Sequence, residues 1–332
     1  MSAVPFSSPS ARFLCHDGLS PLPEALAGAV VALGNFDGLH RGHQAVLEKA
    51  KDLAGERGLP AAFLTFEPHP RRFFRPHEPH FCLTPPDVKA SLAQQLGMEG
   101  MITLPFDAAL AQTDARAFIE DLLIGGLGVG GLVIGHDFHF GKGRAGSPAM
   151  IEAIGQRLGL PVKVVPALTT AGQPVSSSLI RDALRQGQVD IAAHMLGYQW
   201  FVRGVICHGD KRGRLLGYPT ANMILSPDCG LHWGIYAVRM AVDGVVRDGV
   251  ASFGSRPTFD DGAPRLETFL FDFDGDLYDK SVDVELVGFL RGEAKFETIE
   301  ALIAQMDSDS ADARALLAQA PPPDVARLLP LA

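Results

Sequence analysis

The stretch VALGNFDGLHRGHQAVL, residues 31–47, joins an apolar run to an amphipathic run through a segment of glycines, an acid and two histidines. The apolar residues 29–33 predict a buried strand, and the apolar spacing of residues 44–54 predicts a helix. His40 and His43 therefore lie at or near a helix N-terminus. Because the first N–H groups of a helix lack partners and carry the positive end of its dipole, this junction favours binding of an anion.

Length and composition limit the class of protein. A chain of 332 residues favours two domains, and 47% hydrophobic with 20% charged residues indicates a folded globular protein. The net charge of -9 argues against a general nucleic-acid binder. No long apolar run or signal-peptide core is present, so we expect a cytoplasmic protein that does not bind membranes. The widely spaced cysteines favour reduced thiols over a disulfide framework or zinc ribbon: Cys15, Cys82, Cys207 and Cys229.

Strand-like and helix-like runs alternate from residue 29 to about residue 197. Further strands are predicted at 61–66, 100–104, 132–134 and 162–165, and further helices at 86–96, 114–123, 148–158 and 177–185. Such alternation predicts an α/β domain with a Rossmann-like parallel sheet. Ligands of such sheets bind beyond the carboxyl ends of the strands.

After Gly197 the pattern changes to short β-type runs separated by turn signals. The runs lie at 200–206, 234–242, 247–253, 266–272 and 282–289, and predict a mainly antiparallel β-barrel. The barrel is predicted to be followed by a C-terminal helix, with helical spacing over residues 297–305 and then 310–319. We therefore predict domains at residues 1–187 and 188–332.

The histidine segment suits chemistry at phosphorus. Gly34, Gly38 and Gly42 allow close approach of the backbone to a phosphate chain. His40 and His43, three residues apart, present two donors to one side of it, where they would stabilise charge that develops during displacement. A histidine pair on a helix is also compatible with a metal site or a polar surface, and no P-loop accompanies it. Segments 65–70, 135–144 and 176–181 are predicted to project from the same sheet edge.

Together these segments closely resemble the adenylyltransferase half of bacterial bifunctional riboflavin kinase/FAD synthetases, within the H-x-G-H nucleotidyltransferase superfamily. The resemblance implies that the first segment holds the phosphates of ATP: Gly34, Phe36, Asp37, Gly38, His40, Gly42 and His43. It also implies that Ser176, Ser177 and Arg181 close on the triphosphate and that Asp137 and Phe138 contribute to the flavin site. His40, His43 and Arg181 are the catalytic candidates. Ser178 replaces the family's threonine and keeps its hydroxyl.

A second segment, HGDKRGRLLGYPTANM at residues 208–223, combines glycines with basic residues and could cover phosphates. Thr220 and Asn222 offer hard oxygen ligands suited to Mg²⁺. A solvated basic loop is the alternative interpretation. The segment resembles the flavokinase signature G-x-x-R-G-x-x-L-G-x-P-T-A-N. That resemblance implies ATP-binding residues Gly213, Arg214, Gly217 and Thr220, with Thr220 and Asn222 as magnesium ligands.

Three later segments extend the flavokinase resemblance. Residues 266–278 resemble the strand that carries the family's catalytic base, which corresponds to Glu267; taken alone, this residue would be an ordinary outward-facing strand glutamate. Residues 256–259 resemble the family's P-T-F segment, with Ser252 where asparagine is often found. Residues 289–296 match the segment that borders the flavin, which gives Arg291 and Phe296 as flavin-binding candidates.

The resemblance implies a bifunctional enzyme that converts riboflavin and ATP into FMN and ADP, and then FMN and ATP into FAD and pyrophosphate. Mg²⁺ is the expected cofactor, and we expect a monomer or weak homo-oligomer. One alternative is that one half is catalytically silent and acts as a flavin-binding or regulatory module. Another is a different H-x-G-H adenylyl- or cytidylyltransferase, although this would leave residues 219–222 and Glu267 unexplained.

Overall fold

The computed structural model describes residues 13–170, 173–208, 217–255 and 263–322. The chain forms two compact units that divide between Ser176 and Ser177. The predicted domain boundary between residues 187 and 188 lies one helix further along. Among the described residues, no helix is both long and apolar enough to cross a membrane.

The first unit is built on a parallel sheet, as predicted. Its strands, within the described ranges, are β1 (Leu14–His16), β2 (Val30–Leu33), β3 (Ala61–Glu67), β4 (Gly100–Pro105), β5 (Gly131–Gly135) and β6 (Val162–Val165), in the order β1-β4-β3-β2-β5-β6. β2 pairs in parallel with both β3 and β5 and is fully buried. Strand order reverses at β2, so its carboxyl end lies at the switch point where α/β sheets bind ligands. Strand β1 has only three residues and was not predicted.

Helices form most of the connections between these strands. They are α1 (Arg41–Arg57), α2 (Pro70–Phe74), α3 (Pro86–Gln95), α4 (Ala108–Gln112), α5 (Ala115–Ala117) and α6 (Pro148–Leu158). α5 continues as a π-helix over Phe118–Leu127, which ends at Gly128 with φ +73°. The helix predicted at 114–123 therefore extends further, through Gly125 and Gly126, and ends at Gly128. Two short strands, β7 (Thr169–Thr170) and β8 (Gln173–Pro174), pair with each other.

The second unit contains an antiparallel sheet, also as predicted. After α7 (Ser177–Arg185) and α8 (Val189–Leu196), its described strands are β9 (Phe201–Val205), β10 (Ala221–Ile224), β11 (Gly234–Val242), β12 (Val245–Ser255), β13 (Pro264–Leu270) and β14 (Ser281–Arg291). Their order is β10-β13-β12-β11-β14-β9. The two edges meet because Cys207 N, just after β9, donates to Asn222 O of β10 at 2.8 Å. This bridge brings the sheet close to a barrel. The short strand β10 was not predicted.

The predicted C-terminal helix is confirmed as α9 (Ile299–Gln319), which continues through residues 306–309 between the two predicted stretches. Its residues Ala313 and Leu317 pack on Ala237, Val250 and Val287 of the sheet. Its carbonyl end is held by the buried Arg239, whose guanidinium donates to Leu317 O at 3.2 Å and Pro321 O at 2.6 Å. Because the last carbonyls of a helix lack partners within it, this arginine fixes the helix on the outer face of the sheet.

The pairing of β14 with β9 depends on a buried ion pair. Asp283, with no exposed surface, accepts from Arg203 Nε at 2.7 Å and from Arg203 Nη2 at 2.8 Å. We expect Asp283→Ala to lower the free energy of unfolding of the second unit by about 3–5 kcal/mol, because it leaves a buried guanidinium without its carboxylate. Chemical denaturation measures this change. The control Asp182→Ala, which breaks an exposed pair with Arg185, should cost less than about 1 kcal/mol. Equal losses for both variants would contradict the assignment.

Candidate active sites

His40 forms the N-cap of α1. Its Nδ1 accepts a hydrogen bond from His43 N at 3.2 Å, so the cap satisfies one of the free N–H groups of the first turn. Since Nδ1 is the acceptor, the proton of the neutral ring lies on Nε2. The sequence prediction of histidines at a helix N-terminus is correct, and one of them makes the helix begin there.

The two imidazoles stack on each other. Their ring centroids lie 3.6 Å apart with an interplanar angle of 13°, and the edge of Phe36 packs against His43. A Cβ at Gly42 would lie only 3.2 Å from the His40 ring, which explains the glycine between the histidines. Burial lowers the pKa of His43 well below its ordinary value, and nearby His40 and Lys89 lower it further. His43 is therefore neutral at pH 7.

Asp37 holds the loop between β2 and α1. Its carboxylate, only 2% exposed, accepts from Leu83 N at 2.9 Å and Thr84 N at 3.0 Å. Thr84 in turn accepts from Gly38 N at 2.8 Å through its hydroxyl. These bonds tie the loop to the segment before α3. The contacts assign Asp37 a structural role, while its contact with ATP stays a prediction.

The same loop has a strained backbone. Phe36 has φ +48° and Leu39 has φ +38°, in the left-handed region that side chains other than glycine rarely adopt, and Gly38 has φ +88°. Gly34 is required for another reason, because a Cβ there would lie 3.2 Å from the Phe36 ring. Strain of this kind persists where surrounding contacts impose it, and here the Asp37 bonds do so.

Sequence reasoning missed Lys89, which reaches this site from α3. Its buried Nζ donates to Asn35 O at 3.0 Å and to Thr65 Oγ1 at 3.1 Å. The Thr65 hydroxyl itself donates to Asn35 O at 2.9 Å. The available signal was a lysine within a stretch whose neighbours Val88 and Leu92 are apolar and buried.

Further predicted residues of the first site lie in two other segments. Asp137 and Phe138 follow β5, the strand beside β2, and so lie at the same sheet edge as the histidines. The Asp137 side chain is largely exposed, and Phe138 stacks on Phe140 with centroids 5.7 Å apart. Ser176 ends the first unit, whereas Ser177 and the buried Arg181 belong to α7 of the second. Closure of residues 176–181 on a triphosphate stays a prediction.

The strand registers of the second unit align five residues in one row. Asn222 lies opposite Glu267, Glu267 opposite Ser252, Ser252 opposite Ile235, and Ile235 opposite Arg291. Because side chains alternate between faces along a strand, this row shares the outer face with Val250 and Ala237, on which α9 packs. The predicted metal ligand, catalytic base and flavin residue thus lie on one face beside α9.

Hydrogen bonds orient the row at its Asn222 end. Asn222 Nδ2 donates to Thr220 O at 3.2 Å, and Asn222 Oδ1 accepts from Arg265 Nη1 at 3.3 Å. Glu267 is half-buried between its two neighbours in the row. Thr220 and Asn222 supply neutral oxygens of the type that Mg²⁺ accepts, so their chemistry fits the predicted role.

At the other end, Arg291 is held by α9. Its guanidinium donates from Nε to Asp309 Oδ1 at 2.8 Å and from Nη2 to Asp309 Oδ2 at 2.6 Å, and it lies 5.9 Å from the ring centroid of Phe296. Asp307, on the same helix, accepts from the hydroxyl of Tyr218. These contacts explain why one helix runs through residues 306–309. They also tie Arg291 to the scaffold, so its flavin contact stays a prediction.

The predicted phosphate-covering loop is described only in part. Gly217 is exposed and has φ +83°. Gly213 and Arg214, and also residues 256–259, lie outside the described residues.

Comparisons with known proteins agree on both units. A family model described as FAD synthetase matches residues 22–179, and one described as riboflavin kinase matches residues 196–317. Bifunctional riboflavin kinase/FMN adenylyltransferase from Pseudomonas fluorescens is 39% identical over 308 residues, 91% of this chain and 97% of the relative. The protein of the same name from Bacillus subtilis is 38% identical over 298 residues, 88% of this chain and 93% of the relative.

A solved structure is also similar along most of the chain. It is described as a macrolide-efflux protein from Streptococcus pneumoniae, with a TM-score of 0.81 and 28% identity, and the match covers 91% of this chain and 98% of the other.

The lowered pKa of His43 makes stability depend on pH. Below its ordinary pKa of about 6.5 the unfolded chain binds a proton that the folded protein excludes, so the free energy of unfolding falls as the pH falls. When the pH is lowered from about 7.5 to about 5.5, we expect the melting temperature of His43→Gln to fall less than that of the wild type. Calorimetry measures both melting temperatures. His136→Gln, at an exposed histidine, is the control and should behave as the wild type. An identical loss in the wild type and His43→Gln would show that His43 takes up its proton normally.

Proposed function

Because this chain belongs to the family of bifunctional riboflavin kinase/FMN adenylyltransferases, we propose that the two sites described above carry its two reactions. The protein phosphorylates riboflavin to FMN and adenylylates FMN to FAD. One observation carries the assignment of sites: each family match encloses one of them, the histidine junction within residues 22–179 and the Glu267 row within residues 196–317.

In adenylyl transfer, a phosphate oxygen of FMN attacks the α-phosphorus of ATP. A new phosphorus–oxygen bond forms, the bond to the oxygen that bridges to the β-phosphorus breaks, and pyrophosphate leaves. We assign His40 and His43 to the phosphates as hydrogen-bond donors, with His40 donating through Nε2–H and His43 as a neutral imidazole. The N-terminus of α1 adds backbone N–H groups and a positive dipole end. Such donors stabilise charge that develops in the transition state without forming a covalent adduct.

The remaining residues of this site are proposed with them. Ser176, Ser177 and Arg181 would bind the triphosphate, and Asp137 and Phe138 would border the flavin. The match to the FAD synthetase model extends to residue 179 and so enters α7. For this reason we propose that the adenylyltransferase domain includes α7 and ends after residue 187, rather than at Ser176.

In the kinase reaction, we assign Glu267 as the base. Its carboxylate would take the proton of the primary ribityl hydroxyl while that oxygen attacks the γ-phosphorus of ATP and ADP leaves. The half-buried position of Glu267, directly opposite Asn222 on β10, supports this role. Gly213, Arg214 and Gly217 would cover the phosphates. Phe296 would border the flavin, with Arg291 beside it.

Thr220 and Asn222 are the proposed ligands of Mg²⁺. Their support is the adjacency of two hard oxygen donors, kept in place by the hydrogen bond from Asn222 Nδ2 to Thr220 O. When bound, Mg²⁺ would neutralise charge on the phosphates. Arg265, which donates to Asn222 Oδ1, fixes the amide in one orientation.

We further propose that the protein is cytoplasmic and is a monomer or weak homo-oligomer. All four cysteines are free thiols, as a reducing compartment requires.

Glu267→Gln should abolish FMN formation from riboflavin, with a loss of at least about 100-fold in kcat, because the amide cannot accept the proton. FAD formation from FMN should stay within about 2-fold, since the base is not used there. Chromatography of products from riboflavin and from FMN measures both. Glu297→Gln, at an exposed glutamate, should leave both reactions unchanged. Parallel loss of both reactions in Glu267→Gln would argue against separate sites.

His43→Ala should have the opposite effect. We expect FAD formation from FMN to fall by about 10²–10³-fold, the usual cost of removing a donor that stabilises transition-state charge. FMN formation from riboflavin should persist because its residues belong to the second unit, and calorimetric melting serves as the folding control for the first. Unchanged FAD synthesis would remove His43 from the mechanism.

A further inference from the structure

Lys89 is a buried cation at the carboxyl edge of the first sheet. The residue is 5% exposed, and its Nζ lies between the ends of β2 and β3, bonded to Asn35 O at 3.0 Å and Thr65 Oγ1 at 3.1 Å. Asn35, which follows β2, is itself exposed. The ammonium therefore lies beneath an exposed residue of the loop that leads to His40 and His43.

Both hydrogen-bond partners of Nζ are neutral oxygens. An ammonium has three hydrogens, and these partners use two of them. A buried charge is costly unless it is paired, and burial accordingly lowers the pKa of Lys89. The carboxylates that favour its charge, Asp37 and Glu67, are not its hydrogen-bond partners: Asp37 accepts from Leu83 N and Thr84 N, and Glu67 is exposed.

His43 adds no positive charge beside the ammonium, because its own burial and the nearby Lys89 keep it neutral. Asp37 and Glu67 supply negative charge near the ammonium. Within the described residues the ammonium donates to two acceptors, so its third hydrogen can donate to an anion at this edge of the sheet, where the N-terminus of α1 also favours one.

We infer that Lys89 is a phosphate-binding residue of the adenylyl-transfer site, and that the pyrophosphate portion of ATP accepts the third hydrogen of its ammonium. The inference rests on the proposed function of the first unit. It assigns the lysine, rather than a P-loop, as the buried cation that meets the leaving group. The bonds to Asn35 O and Thr65 Oγ1 position the ammonium before the nucleotide arrives.

The test compares variants that remove the charge with one that removes only a positioning contact. Lys89→Met removes charge and donors, Lys89→Gln keeps two amide donors without charge, and Thr65→Val keeps the charge but removes one acceptor. FAD synthesis from FMN gives kcat/KM for ATP, and inhibition by added inorganic pyrophosphate gives its Ki. Riboflavin kinase activity of the same samples reports folding of the second unit, and calorimetric melting reports folding of the first.

We expect both Lys89 variants to lose about 100-fold in kcat/KM for ATP and to bind pyrophosphate at least about 10-fold more weakly, because a buried charged hydrogen bond to phosphate is lost. Thr65→Val should stay within about 5-fold of the wild type on both measures, and kinase activity should stay within about 2-fold throughout. If Lys89→Gln and Thr65→Val lose equally, or if the Ki for pyrophosphate is unchanged, the lysine is structural and the inference is wrong.

Failure of the proposed function gives a different result. In that case the wild type itself makes no FAD from FMN, and calorimetric titration of inorganic pyrophosphate into the same proteins decides the inference directly. Binding that is lost only in the Lys89 variants would support the ammonium as its ligand, and equal binding by all of them would overturn it.

Discussion

The buried carboxylate of Asp37 is the interaction on which the first unit depends. By accepting from the backbone of Leu83 and Thr84, it fixes the loop that turns the chain from β2 into α1. That loop contains Phe36 and Leu39 at positive φ, which an unsupported chain would not keep. The N-cap contact of His40 and the stacking of the two imidazoles both depend on where this loop places the start of α1.

Closure of the strand ladder has the same role in the second unit. The bond between Cys207 N and Asn222 O joins β9 to β10, and the registers then bring Asn222, Glu267 and Ser252 side by side. α9 completes the arrangement, since Arg239 holds its carbonyl end and Asp309 holds Arg291. The predicted kinase residues in this row lie on the outer face of the sheet, next to the helix.

The two proposed sites differ in the charged groups that they contain. In the first, burial keeps His43 neutral, and the buried Lys89 lies among residues that also include the carboxylate of Asp37. In the second, a half-buried carboxylate lies opposite a neutral amide, an arrangement suited to accepting a proton. Donor groups fit displacement at an already ionised phosphate, whereas attack by a hydroxyl requires a base. This difference in nucleophile accounts for the different residue types.

The sequence by itself determined the fold class of each half and the position of the histidines at a helix N-terminus, because hydrophobic periodicity and glycine spacing are local properties. It also indicated Glu267 and Asn222 through their motifs. It missed the short strands β1 and β10, because pairing with strands far away in the chain stabilises these elements. Only the tertiary structure decided that Lys89 reaches Asn35 and Thr65, and that Asn222, Glu267 and Ser252 form one row. Strand register and the reach of a side chain from another helix depend on packing between residues far apart in the chain, which no local pattern encodes.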